Sequence, residues 1–216
     1  MTEPAPIIHV VDDDQSFRSS IGRLLEASGY RVALYASGDQ LLRSPPGSDP
    51  GCIVLDLRMA GLDGLQLQRR LLDLQTLLPV VFLSGHGDIP ASVQAMKSGA
   101  EDFLTKPVAK ATLLEAIERA LKRYGETREQ YARLAQLREL VASLSPRERD
   151  VFMLVVRGKL NKLIAHELGM AERTVKAHRH NIMQKLNVGS VAEAASIAER
   201  LGMLVGAADS NAAKPI

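Results

Sequence analysis

Along the first 120 positions, short runs of β-branched and apolar residues alternate with longer stretches in which apolar residues recur three and four apart. The short runs fall at 7–11, 31–35, 52–55, 80–83 and 102–104, and their continuity marks strands covered on both faces. Between them lie helical stripes. The first is Phe17, Ile21, Leu24 and Leu25, closed by Gly29; the second is Leu65, Leu67, Leu71, Leu72 and Leu74. A shorter stripe, Val93 and Met96, ends near Gly99, and a last one holds Leu113, Leu114, Ile117 and Leu121. Strands alternating with helices in this way predict one three-layer α/β domain, a five-stranded parallel sheet wrapped by about five helices.

The pattern changes after residue 121. As far as Leu144 there is no proline, and Arg, Glu, Gln and Leu dominate, which favours helix. Leu121, Tyr124, Arg128 and Tyr131 are spaced 3, 4, 3, as are Leu134, Leu137, Val141 and Leu144. Two expectations stay open: a solvated connecting helix, or a stalk that pairs with a second chain, which Gly125 weakens. Ser145-Pro146 then opens a series of four short helical patterns beginning near Arg147, Asn161, Glu172 and Ser190. The Ala-rich tail from Gly206 is expected to be disordered. The boundaries expected are therefore 1–123, a helical linker 124–143, a helical domain 144–205 and a tail 206–216.

Composition narrows the classes. A chain of 216 residues with 46% hydrophobic and 24% charged residues is an ordinary folded protein, long enough for two small domains. Aromatic residues make up 4% and Trp is absent, which argues against base-stacking or sugar-binding surfaces. The single cysteine, Cys52, sits in an apolar run and reads as a small buried hydrophobe. No apolar stretch approaches the length of a membrane span, and the first residues lack the form of a secretory signal, so the expected compartment is the cytoplasm. Charge divides the chain: residues 1–120 carry 11 Lys+Arg and 15 Asp+Glu, residues 121–216 carry 16 and 10. An acidic half suits a divalent cation or a basic partner, and a basic half suits a polyanion.

Ligands of a doubly wound sheet bind beyond the carboxyl ends of its strands, and polar residues follow the apolar runs there. Asp12-Asp13-Asp14 follows the first, Asp56 the third, Ser84-Gly85-His86-Gly87 the fourth and Thr105-Lys106-Pro107 the fifth. Carboxylates gathered on one rim repel one another unless a cation sits among them, and hard oxygens suit Mg²⁺. With an ammonium and a hydroxyl converging from the other side, one carboxylate can attack a phosphoryl group and form an acyl phosphate. Simpler roles are expected for Asp14 as a helix cap, for Asp63-Gly64 as a turn or helix start, and for His86 as an exposed loop residue without metal-binding company.

Val10-Val11-Asp12-Asp13-Asp14, Leu55-Asp56-Leu57-Arg58-Met59, Leu62-Asp63-Gly64, Ser84-Gly85-His86-Gly87 and Phe103-Leu104-Thr105-Lys106-Pro107 occur in the order found in the receiver domain of two-component response regulators, which residues 6–123 resemble. The resemblance implies a flavodoxin-like fold in which Asp56 accepts a phosphoryl group from a sensor histidine kinase. It implies that Asp12, Asp13, Asp56 and the backbone carbonyl of Arg58 organise Mg²⁺, that Ser84 and Lys106 bind phosphoryl oxygens, that Lys106-Pro107 is cis, and that Phe103 is an aromatic switch. Two positions depart from the common pattern: Met59 is followed by Ala60 where proline is usual, and Ser84 stands where Thr is frequent.

In the second half, residues 160–175 order as a short helix, a Gly-containing turn and a second helix, with Ile164, Leu168, Val175, Ile182 and Leu186 as a small core. From Arg157 to Lys185 there are seven Lys or Arg against two Glu, which suits duplex DNA. Turning Val175, Ile182 and Leu186 inward turns Arg173, Ala177, His180 and Gln184 outward, with Lys176 beside them. Leu144-Ser145-Pro146-Arg147-Glu148-Arg149, Asn161-Lys162-Leu163-Ile164-Ala165 and Glu172-Arg173-Thr174-Val175-Lys176-Ala177-His178-Arg179 resemble the LuxR-type tetrahelical output domain over residues 143–204. By that resemblance Lys176, Ala177 and His180 face bases, while Thr174, Arg179 and Lys185 contact phosphates; Lys162 joins the DNA-binding set. His178 is expected to be packed. Ala192, Ala194, Ala195 and Ala198 fit either a dimer contact or core packing.

The function implied is a phosphorylation-controlled transcription regulator of the FixJ/NarL type, not an enzyme beyond self-catalysed transfer and hydrolysis at Asp56. Its expected partners are an operator in double-stranded DNA, a sensor histidine kinase and a second copy on phosphorylation, with RNA polymerase a further candidate. A phosphatase of the haloacid dehalogenase type would want an acid at position 58, which is Arg. A receiver-fold module indifferent to phosphate would show a damaged site, and every principal residue is in place.

Overall fold

The computed structural model describes residues 5–47, 49–85 and 89–204. The expected loop position of His86 and the expected tail 206–216 lie outside the described residues. The chain divides into two compact units, Met1–Glu129 and Gln130–Ile216.

The first unit holds β1 (Ile7–Val11), α1 (Gln15–Ala27), β2 (Arg31–Tyr35), α2 (Gly38–Arg43), β3 (Gly51–Asp56), α3 (Gly64–Asp73), β4 (Val80–Ser84), α4 (Ile89–Lys97), β5 (Asp102–Thr105) and the start of α5 (Lys110–Ala142). All strand pairs are parallel, in the order β2-β1-β3-β4-β5. Strand side chains alternate between two cores. Ile8, Val10, Cys52, Val54, Val81 and Leu83 pack on α1 and α5, whereas Val11, Ile53, Leu55, Val80 and Phe82 pack on α2, α3 and α4. This is the doubly wound, flavodoxin-like arrangement expected, and Cys52 is fully buried in it.

Two expected stripes differ from the packed faces. Leu72 and Leu74 are 54% and 58% exposed, while Gln68, one turn from Leu71 and Leu72, is buried and points its amide at the Ala95 and Ser98 carbonyls at the end of α4. On α4, Val93 and Met96 face solvent and Ala95 faces the core, because this short helix packs through its small residue. On α3 the stripe is covered through Leu67 and Leu71, with Leu65 packed against them, and only Leu72 and Leu74 fall outside the covered face; the α4 stripe lies beside it.

The second unit holds the end of α5, then α6 (Pro146–Val156), α7 (Asn161–Leu168), α8 (Glu172–Leu186) and α9 (Val191–Arg200). Its core contains Val151, Phe152, Val155, Ile164, Val175, Ile182, Leu186, Ala194 and Ala198. Val141 and Leu144 belong to it, with Leu137 and Leu140 packed against it. Leu137, Val141 and Leu144 of the second stripe therefore pack within their own unit. Ala194 and Ala198 take the core-packing alternative.

Candidate functional site

Chain order reverses across the sheet at β1, which has β2 on one side and β3 on the other, and such a reversal opens a crevice at the strand ends. Asp12 follows β1 directly and Asp56 ends β3, so both carboxyl groups enter this crevice, and both are buried. Gly64 brings the start of α3 against them. A Cβ at Gly64 would stand 2.4 Å from the Asp56 carbonyl oxygen, so no larger residue fits without moving the loop. Asp63 caps α3 reciprocally with Gln66, and Asp14 caps α1 by accepting the Ser16 and Phe17 N–H groups, the simpler roles expected for both.

One ligand oxygen from each of Asp12, Asp13 and Asp56 lies within 4.8 Å of the others. Lys106, beyond β5, reaches this group with its Nζ 2.6 Å from Asp12 Oδ2 and 2.9 Å from Asp56 Oδ1. Its ammonium also lies 4.1 Å from the centroid of the Phe17 ring, a cation–π contact that shields one side. The Lys106-Pro107 bond is cis. The other Asp12 oxygen accepts the Asp14 N–H at 2.9 Å, Arg18 donates to the Asp12 carbonyl at 2.5 Å, and Asp13 Oδ2 accepts the Ala60 N–H at 2.9 Å.

Burial pushes the Asp56 carboxyl above the ordinary carboxylate range; the Lys106 ammonium opposes this, and the Asp12 and Asp13 charges reinforce it. Burial works against the Lys106 ammonium, but its bonds to Asp12 and Asp56 outweigh it and hold the lysine above its ordinary value. Three carboxylates facing one ammonium leave net negative charge in a half-closed crevice of hard oxygen donors, which fits a divalent cation of the magnesium class. Ser84 is buried at the end of β4, and Phe103 is half-buried with its ring centroid 6.1 Å from that of Phe82. Arg58 is exposed in the loop after Asp56.

The basic unit presents a second surface. Gly169, at φ +63°, ends α7 in the left-handed turn that lets α8 start three residues later. Val175, Ile182 and Leu186 are buried, and Arg173, Lys176, Ala177, His180 and Gln184 are exposed on the opposite side of α8. Thr174, His178 and Arg179 are half-buried, and Lys162 is exposed on α7. Lys185 is also exposed on α8. Its Nζ is 2.6 Å from Glu148 Oε2, so the ammonium expected at a DNA phosphate already has a carboxylate partner inside its own unit.

The family of response regulator receiver domains matches residues 8–118, and the luxR family of bacterial regulatory proteins matches residues 142–198. The chain belongs to the response regulators. It is 42% identical over 201 residues to the response regulator protein TodT of Pseudomonas putida, covering 93% of this chain and 88% of TodT. It is 39% identical over 215 residues to the transcriptional regulatory protein FixJ of Azorhizobium caulinodans, covering both chains in full. Among solved structures, the response regulator StyR superposes with a TM-score of 0.77 at 45% identity, covering 91% of this chain and all of that one. Full-length FixJ from B. japonicum gives 0.57 at 40% identity, covering 94% and 100%. This response regulator thus joins a receiver domain to a LuxR-type DNA-binding domain. No helix among its described residues is long and apolar enough to cross a membrane.

Three participants at the response regulator's acidic rim escape a reading of motifs. Phe17 reads as one more apolar position of a helical stripe, and only the fold turns its ring toward Lys106. Arg18 acts on a backbone carbonyl, and Ala60 acts through its own N–H. Neither contact leaves a trace in side-chain spacing.

Proposed function

We propose that this chain is a phosphorylation-dependent transcriptional regulator, with residues 1–123 as phosphoacceptor domain, 124–143 as helical linker and 144–205 as DNA-binding domain. The observation that carries the reading is the meeting of Asp12, Asp13, Asp56 and Lys106 from the ends of three strands. One Asp56 oxygen attacks the phosphorus of a phosphohistidine on a sensor histidine kinase; the P–N bond breaks, the imidazole leaves and an aspartyl phosphate forms. Lys106 and the Ser84 hydroxyl bind the phosphoryl oxygens. Asp12, Asp13, Asp56 and the Arg58 carbonyl would hold Mg²⁺, which when bound neutralises charge spreading over the equatorial oxygens. The chain is a phosphoacceptor in this scheme, with self-catalysed transfer and hydrolysis at Asp56 its only chemistry.

Ile89, Val93 and Met96 form an exposed apolar stripe on α4, 74%, 46% and 47% exposed, within the stretch from Ser84 to Phe103 that runs from the acceptor site into β5. Such a stripe supports receiver dimerisation on phosphorylation, with Phe103 as the switch residue. Two output domains then bind half-sites of a double-stranded operator, reading it with Lys176, Ala177 and His180 on α8, flanked by Arg173 and Gln184. Lys162, Thr174 and Arg179 meet phosphates. The regulator works in the cytoplasm, where RNA polymerase is a candidate partner.

Labelling with a small acyl phosphate in the presence of Mg²⁺ tests the assignment. Wild-type protein should take up one phosphoryl group and Asp56→Asn none; stoichiometric labelling of Asp56→Asn overturns it. Lys106→Ala should still bind Mg²⁺ but respond poorly to phosphorylation.

A further inference from the structure

Among the carboxylate oxygens of the acidic rim, the hydrogen bonds are unevenly shared. Both oxygens of Asp12 are engaged, one by Lys106 and one by the Asp14 N–H. Asp56 gives Oδ1 to Lys106, and Asp13 gives Oδ2 to the N–H of Ala60, 47 positions away. Asp13 is the exposed member of the three and follows a strand without being part of it, so its own backbone restrains it less than β3 restrains Asp56. The Ala60 bond is what ties this carboxylate to the loop after β3. That loop also carries Arg58, whose carbonyl is two residues from Ala60. The donor exists because residue 60 is not proline, which has no N–H.

Resting on the function proposed above, we infer that the Ala60 N–H is a positioning group for the cation site. It holds Asp13 Oδ2, so that Asp13 Oδ1 is the oxygen open to a cation, and it draws the loop bearing Arg58 toward Asp13. A hydrogen bond from a neighbour to a ligating carboxylate orients that ligand, and losing such a partner typically weakens metal affinity on the order of 10-fold or more. The role belongs to the backbone of residue 60, not to its methyl side chain.

Calorimetric titration of the full chain with Mg²⁺ tests this. Ala60→Pro should weaken Mg²⁺ binding about 10-fold, while Ala60→Gly, which keeps the N–H, should bind within about twofold of wild type; equal affinity in Ala60→Pro and wild type overturns the inference. Proline also restricts Met59, so the same substitution is made on Asp13→Ala. There it should have no further effect, and a second 10-fold loss assigns the result to loop conformation and overturns the inference. A measurement on wild-type protein alone covers a variant that fails to fold. Ala60 is solvent-exposed, so slow exchange of its amide reports the bond to Asp13, and that protection should persist or rise as Mg²⁺ is added. Loss of protection on adding Mg²⁺ means that Asp13 turns away from Ala60 and refutes the role. Absence of Mg²⁺ binding by wild type, with Asp56 still labelled, refutes this inference while leaving the acceptor assignment standing; absence of both removes the function it rests on.

Discussion

Lys185 Nζ lies 2.6 Å from Glu148 Oε2, joining the last turn of α8 to the first turn of α6. Glu148 is buried, and its carboxylate also accepts the Ser145 N–H at 2.8 Å, completing a reciprocal cap with the Ser145 hydroxyl. One carboxylate therefore caps the start of α6 and ties it to the last turn of α8.

Acid should loosen this junction. The Lys185 ammonium and the Ser145 N–H hold the Glu148 carboxyl at about 2, well below its ordinary 4.5. A lowered carboxylate pKa stabilises the fold above the unfolded value, and that contribution is lost as pH falls from about 4.5 toward 2. Protection of α6 and α8 amides, taken relative to the intrinsic exchange rate at each pH, should fall in wild type between pH 6 and pH 3. Glu148→Gln keeps a cap acceptor and should flatten the pH dependence, whereas Glu148→Ala loses the cap as well, at about 1 kcal/mol.

Base reading and phosphate contact should separate on α8. Lys176→Ala and His180→Ala should each relax operator preference by about 1–3 kcal/mol. Arg179→Ala should weaken operator and random duplex alike and lower the salt slope by about one. Lys185→Gln should leave the salt slope unchanged, because its ammonium is engaged by Glu148. Salt-dependent titration of specific and random duplexes checks all four; a uniform loss across them would move the reading surface off α8.

Gln68 should act as the anchor of α4. Its Nε2 donates to the Ala95 and Ser98 carbonyls at 3.3 and 3.2 Å, and its Oε1 is buried without a partner. Gln68→Leu removes both donors together with the orphaned acceptor, so the net stability change should stay within about 1 kcal/mol. Amide exchange along α4 should nonetheless rise while the sheet stays protected. Equal protection of α4 in both proteins would remove Gln68 as its tether.

His9 places a second pH dependence in the other unit. It is buried on β1, with Nδ1 3.1 Å from the Tyr35 hydroxyl, and burial lowers its pKa below 6.5. Below pH 6.5 the unfolded chain binds the proton more readily than the folded one, so the receiver should lose stability as pH falls past that value. His9→Gln should lessen this slope, as followed by amide exchange in β1 and β3.

The strands were legible because parallel strands of a covered sheet leave continuous apolar runs: β1 and β2 match the expected limits, β4 and β5 run one residue further at one end, and β3 one residue further at each end. Helix faces were less so. Leu72 and Val93 repeat at helical spacing yet face solvent, since spacing gives a period and not the side that a sheet will cover. Asp12, Asp56 and Lys106 could be brought to one rim from their positions after the apolar runs, because a doubly wound sheet sends every strand end to the same edge. Glu148 and Lys185 could not be paired that way. They lie 37 positions apart on helices whose mutual placement no local pattern encodes, and a basic residue near a DNA-facing helix reads as a phosphate contact.

The contact between Lys106 and Asp12 spans 94 positions, nearly the whole receiver. During synthesis Asp56 emerges some fifty residues before Lys106, and the ion pair between them waits on β5, the strand that leads to the lysine and pairs with β4. A ribosome-bound chain that stops short of Lys106 lacks the ammonium that joins Asp12 to Asp56. The charge balance of the acidic rim is thus reached last, when the lysine from the far end of the receiver meets the aspartates from its start and middle.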